Sequence, residues 1–227
     1  MEATGAAQET ETGAGTASRW WHGCLTVLLV VCFVVQLVVL FLGGQDANSG
    51  EGAELGLGTR LVRFFSYFTI QSNILTLVAA ATLMMRPQRD GRGWRVLRLD
   101  ALLGIVITGL VFDLLLANEV QLTGLGRALT LGFHYISPWG ALLGWLLFGP
   151  RPRIDWRTLG LAFVWPVLWI AYTFAHGAIS GWYPYPFLDA GQLGVSMALR
   201  NTVLVVFVAL VLALIFKALD RLPTIRR

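Results

Sequence analysis

Apolar residues fall into six long runs separated by short polar segments. The runs cover Cys24 to Leu42, Phe64 to Met85, about Leu99 to Leu116, Leu125 to Phe148, about Leu159 to Ala175 and about Val195 to Phe216. At about 1.5 Å per helical residue, runs of this size match the roughly 30 Å hydrocarbon core of a bilayer. The pattern predicts an all-α fold: a polytopic membrane helix bundle of six transmembrane helices. A helix that only anchors is apolar all round, and two of these are not. In the second run Ser66, Thr69, Asn73 and Thr76 recur at spacings of three and four, which puts them on one helix face. Polar groups facing lipid without partners cost a few kcal/mol each, so this stripe must face other helices or a wet cavity. In the fourth run Arg127, Thr130, His134, Ser137 and Ala141 share a face and make a second stripe.

The segments between the runs set the topology. Residues 1–18 are mostly Ala, Gly, Thr and Glu, too poor in large apolar side chains to bury themselves. They are expected to form a disordered cytoplasmic tail ahead of a six-helix transmembrane domain over 19–227. The first run exceeds the apolar region of a signal peptide and no Ala-x-Ala site follows it, so an uncleaved first span is expected. Residues 43–62 form a Gly-rich acidic loop with Asp46, Glu51 and Glu54. Placing the N-terminus in the cytoplasm puts thirteen basic residues inside and four outside (Arg60, Arg63, Arg127 and Arg200). The positive-inside rule then assigns both termini to the cytoplasmic side of the cell membrane.

Composition agrees with that class. Hydrophobic residues make up 56% and charged residues 13% of the chain, with mean hydropathy +0.67, outside the range of soluble domains. The net charge of +4 resides in membrane-flanking loops, so it implies no nucleic-acid partner. Sixteen of the 17 basic residues are Arg, a bias that points to a bacterial, GC-rich genome. Cys24 and Cys32 lie eight residues, about 12 Å, apart on one helix and cannot pair with each other. No metal-ligand spacing, phosphate-binding loop or Gly-x-Ser-x-Gly elbow occurs, so neither metal nor cofactor is expected.

Orientation gives depth to the chemistry-bearing residues. Thr69, Asp113, His134, Tyr172, His176, Arg200 and Asn201 all fall toward the outer ends of their helices, which suggests one cavity open to the outer leaflet. His134 is either a functional group or a neutral imidazole bonded to a neighbouring helix. A Thr in a membrane helix commonly returns its hydroxyl to the carbonyl one turn back, the ordinary expectation for Thr69. Asp113 is either a solvated helix end or a buried acid needing a cation from His134 or Arg200, and Arg200 can equally snorkel to the headgroups. The loop Trp182-Tyr183-Pro184-Tyr185-Pro186-Phe187 reads as an interfacial aromatic belt or as a lid over the cavity.

The Thr69 helix, the His134 helix running on through Ser137-Pro138, and the segment His176-Gly-Ala-Ile-Ser-Gly-Trp-Tyr-Pro-Tyr-Pro-Phe-Leu-Asp189 together resemble the androgen-induced and androgen-dependent TFPI-regulating membrane hydrolases, over about residues 60–215. The resemblance implies a bacterial six-span relative that hydrolyses fatty acid esters of hydroxy fatty acids, or similar lipid esters, through a membrane-embedded Thr and a His. By the order of helices these are Thr69 and His134. Asn73, Asn201 or Asp113 would then serve as oxyanion donors or as the imidazole's orienter. Ser66, Tyr172, His176, Arg200, Trp182, Tyr183 and Tyr185 would line or cover the cavity. The chain departs from the family at Ile70-Gln71-Ser72-Asn73, which is more polar, and in an extra Tyr-Pro, both of which bear on substrate choice. The partners expected are membrane lipids and a lipid ester. The alternatives are a non-enzymatic lipid-binding or transport protein and a structural membrane subunit.

Overall fold

The computed structural model describes residues 2–52, 54–118 and 122–222, and these are all helix and connecting loop, with no strand among them. Helix α1 spans Glu2–Phe41, α2 Leu57–Ser66, α3 Phe68–Met85 and α4 Arg92–Val111, which continues as a π turn over Phe112–Leu116. Helix α5 spans Gly124–Leu131, a second π turn Gly132–Ile136, and α6 Ser137–Phe148. Then come α7 (Trp156–Leu161), α8 (Val164–Ser180), a 3-10 turn at Pro186–Leu188, α9 (Ala190–Leu193) and α10 (Val195–Leu219). Arg226 and Arg227, part of the inner basic count, lie outside the described residues.

Five helical segments are long and apolar enough to cross a membrane: Gly15–Phe41, Phe68–Met85, Arg92–Leu116, Trp156–Ser180 and Val195–Leu219. The remaining run, the fourth, is the composite α5–π–α6 helix. Its polar stripe makes it less apolar, and it is not one of the five. Burial ranks the others. Of the apolar window in the α4 segment 72% is buried, against 28% for the α7–α8 segment and 22% for α10. Helix α4 is therefore the hub, packed between α3 and α6, while α8 and α10 stand at the periphery with Val167, Leu168, Val203 and Phe207 facing outward.

Three elements differ from the sequence reading. Helix α1 runs back to Glu2, through the stretch read as a disordered tail. Ala, Glu and Gln are good helix formers and add turns cheaply to a helix already nucleated by its apolar part. The second run is also not one helix from Phe64. It breaks at Tyr67, whose backbone is extended (φ −65°, ψ 130°), and Tyr67 itself is buried between the rings of Trp182 and Tyr185. Helix α2 combines Arg60 and Arg63 with buried Phe64 and exposed Val62 and Phe65, a mixture suited to an interface rather than to hydrocarbon. The fifth run is split as well, into α7 and α8, with Pro166 in the first turn of α8, where its missing N–H costs nothing.

The second π turn has a local cause. Pro138 has no N–H to give the carbonyl of His134 one turn back, and the helix widens instead, so that Ser137 N–H donates to Gly132 O. Close approach then needs small residues opposite. A Cβ on Gly109 would lie 2.9 Å from the Pro138 ring, so only Gly lets α4 pack against that proline.

Candidate functional site

The break at Tyr67 makes Thr69 the second residue of α3 rather than a mid-helix residue. Its N–H is one of the donors a helix start leaves free. The phenol of Tyr185 accepts from that N–H at 3.1 Å and lies 3.2 Å from the Thr69 hydroxyl. Thr26, Thr76, Thr82, Thr130 and Thr202 all return their hydroxyls to the carbonyl four residues back, and Thr69 does not. Tyr185 is itself buried at 7% exposure, and burial pushes its phenol up to about 12, so it stays protonated at any physiological pH.

The aromatic loop folds inward as a lid rather than lying flat as a belt. Glu51 accepts from Arg63 at 2.7 Å and from the Trp182 indole at 3.2 Å, and Arg63 also lies over the Trp182 ring. Tyr183 packs so closely on α8 that a Cβ on Gly177 would meet its ring. His176 stacks on Tyr172 and meets the edge of Trp182, while Tyr172 hydroxyl bonds Ser66 hydroxyl at 2.7 Å. The carbonyl of Ser66, freed by the helix break, accepts from the Trp169 indole at 2.9 Å. Tyr185 and Leu188 complete the buried layer beneath.

His134 sits at the centre of its π turn, 2% exposed, with its ring stacked on Phe112 at a centroid distance of 3.9 Å. Phe112 opens the other π turn, so the two widened turns meet ring to ring. The Nδ1 of His134 lies 3.1 Å from the carbonyl of Thr130. A carbonyl only accepts, so Nδ1 carries the proton and Nε2 keeps its lone pair.

Thr69 and His134 are linked through Asn73. The Asn73 amide donates to the carbonyl of Thr69 at 2.9 Å and to that of Phe133 at 3.1 Å, which ties α3 to the π turn one residue before the imidazole. Both its N–H groups are thereby used, and Asn73 has none left for an oxyanion, contrary to one of the roles the sequence suggests. The Thr69 hydroxyl bonds Tyr185 and not His134 in this arrangement, and His134 is not among the residues lining the large cavity described next.

Of the two readings for Asp113, the solvated helix end is the one observed. It is exposed and accepts from Tyr135 hydroxyl at 2.9 Å, and the imidazole is oriented by the Thr130 carbonyl instead. Arg200 is exposed against Met197 Sδ, and Asn201 holds the carbonyl of Phe187, securing the lid to α10.

A partly open cavity lies between α4, α8 and α10 under the lid, with Thr69, Trp165, Tyr185 and Thr202 in its mainly apolar wall. It also contains Asp100, which the sequence pattern hides at the edge of the third run. Helix α4 starts at Arg92, two turns earlier than read, so Asp100 lies inside the helix and is 9% exposed. Tyr185 escaped notice as a bonding partner because the signal lies in the break at Tyr67, and an aromatic-rich run does not announce one. No group of three or more His, Cys, Asp or Glu residues able to hold a metal occurs among the described residues. Comparison with protein-family models, curated proteins and solved structures finds no match to this chain.

Proposed function

We propose that the chain is a six-span integral membrane hydrolase of lipid carboxylic esters, with cytoplasmic termini, Thr69 as nucleophile and His134 as general base. The observation that carries this reading is the Thr69 hydroxyl: it is buried in the wall of a large apolar cavity and escapes the one-turn-back bond that occupies other threonines of this chain. The composite α5–π–α6 helix supplies the sixth span, its polar stripe turned inward, since Thr130, His134 and Ser137 are all buried. The excess of basic residues in the loops after α3 and α6 supports a cytoplasmic side for those loops.

In the reaction proposed, Thr69 Oγ1 attacks the ester carbonyl while its proton passes to Nε2 of His134. The leaving alcohol takes that proton, and an acyl-Thr69 ester remains. Water then attacks the acyl group, giving a proton to Nε2, and the carboxylic acid leaves as Thr69 recovers its hydroxyl. The oxyanion takes the donors now paired with each other at the start of α3: the Thr69 N–H and the Tyr185 hydroxyl. Displacement of Tyr185 by the ester carbonyl would also free the Thr69 hydroxyl to turn toward the imidazole. The apolar walls suit an acyl chain entering sideways between α8 and α10.

The test is hydrolysis by purified protein in nanodiscs of a panel of simple and branched fatty acid esters. Thr69→Ala is expected to abolish turnover and Thr69→Ser to retain part of it. A folded Thr69→Ala protein with undiminished turnover contradicts the assignment.

A further inference from the structure

The cavity beneath Thr69 has a feature that ester hydrolysis does not use. Asp100 lines it, about 12 Å along α4 from Arg92, with Oδ1 buried and without a hydrogen-bond partner. The ion pairs among the described residues are Arg63–Glu51, Arg95–Asp90 and Arg153–Asp90, and none involves Asp100. Gly104 and Thr108 follow on the same face of α4, and the Thr108 hydroxyl is also buried and unpartnered. Gly104 brings the six-membered ring of Trp165 close: a Cβ there would lie 3.0 Å from it. The Trp165 N–H is already given to Gln71 Oε1 at 3.0 Å, so this indole offers Asp100 no donor. One face of the indole is stacked on Phe68, 4.7 Å between ring centroids, and the ring also lines the cavity.

A carboxyl without a protein partner, an aromatic ring one turn away and a long apolar chamber form a receptor for one ligand chemistry. A buried carboxylate is costly until a cation pairs with it, and an aromatic face adds cation–π attraction. Among the described residues no Lys, Arg or His lines the cavity to neutralise a phosphate. That disfavours zwitterionic phospholipids and selects a ligand of net positive charge. We propose that this cavity binds a lipophilic amine, a single ammonium head at Asp100 with its alkyl or aryl body running between α4, α8 and α10. This reading goes beyond ester hydrolysis and does not require it.

The test uses radiolabelled dodecylamine, an ammonium at neutral pH, and full-length protein in phosphatidylcholine nanodiscs. Wild type and Thr69→Ala are expected to bind it saturably, with competition by unlabelled amine and none by dodecanol or phosphatidylethanolamine. Asp100→Asn should weaken binding at least about tenfold, the effect of losing one charge contact, while Asp113→Asn, altering an exposed acid at the end of the same helix, leaves it unchanged. Val206→Trp keeps the carboxyl but fills the chamber, and it should abolish binding even if Asp100→Asn does not fold. Equal competition by dodecanol or phosphatidylethanolamine, or unchanged binding in Val206→Trp or in folded Asp100→Asn, overturns the proposal. A Thr69→Ala protein that binds the amine but no longer cleaves esters supports both readings. One that binds it and still cleaves esters removes the hydrolase reading alone.

Discussion

The Tyr185 hydroxyl lies 3.2 Å from the Thr69 hydroxyl and accepts from the Thr69 N–H at 3.1 Å, so one loop residue satisfies the start of α3 and masks the proposed nucleophile. Tyr185→Phe removes both bonds and leaves a buried N–H unpaired, which costs about 1–3 kcal/mol. A thermal or denaturant midpoint should fall accordingly. Ester turnover should fall further than stability explains, because the phenol is also the proposed oxyanion donor. Full turnover in Tyr185→Phe removes that role.

Asn73 joins α3 to the His134 π turn with two bonds to buried carbonyls. Asn73→Leu has similar volume but leaves both carbonyls short of a donor. Destabilisation of about 2–4 kcal/mol is expected, with loss of turnover even below the new midpoint. Chemical denaturation in detergent checks the first, and an ester assay at low temperature the second.

Gly177 lies directly under the Tyr183 ring, and an added Cβ would overlap it. Gly177→Ala must therefore push the lid outward while the spans stay helical. Far-ultraviolet circular dichroism should be unchanged, and limited proteolysis within 181–189 should become faster. Wild-type protection in the variant would show that the lid is held elsewhere.

Asp46 supplies the pH dependence. It is buried under the outer loops at 4% exposure, with both its bonds coming from Asn48 at 2.7 Å. Burial pushes its carboxyl up to about 6 from the ordinary 3.8. The folded state thus holds a proton that the unfolded chain has given up. That contribution is fully present below about pH 4 and is lost as pH rises through about 6. A shift of this size corresponds to about 3 kcal/mol. The stability difference between wild type and Asp46→Asn should shift against wild type between pH 4 and pH 7.5, as the Asp46 contribution is lost. A difference that stays constant across that range would assign the dependence to another group.

Much of this was legible in the chain, for a physical reason. Lipid leaves a backbone few choices, so long apolar runs read directly as helices, and stripes such as Thr69–Asn73–Thr76 read directly as buried faces. What escaped depended on contacts between distant segments. The break at Tyr67 is set by Trp182 and Tyr185, more than a hundred residues away, and local propensity carries no trace of it. Asp113 and Asp100 show the same limit. Both lie near the ends of the third run, yet packing leaves Asp113 exposed beside Tyr135 and buries Asp100 in the cavity. The oxyanion role considered for Asn73 failed because its donors are already committed to two carbonyls, a detail that needs coordinates.

His134 holds its proton on Nδ1 against the Thr130 carbonyl, which leaves the Nε2 lone pair for the proposed role of base. His134→Ala should then lower turnover by about 10²–10⁴-fold, the usual worth of a general base. His134→Gln, which keeps a polar group beside Phe112, should be no more active than the alanine variant. Activity near wild type in either one separates the imidazole from the chemistry.

The most direct measurement is labelling with a fluorophosphonate probe, followed by peptide mapping of the adduct. The account predicts an adduct on Thr69 in wild type, and none in Thr69→Ala or His134→Ala proteins that remain folded. Labelling that survives both substitutions, or an adduct mapped to another hydroxyl, contradicts it.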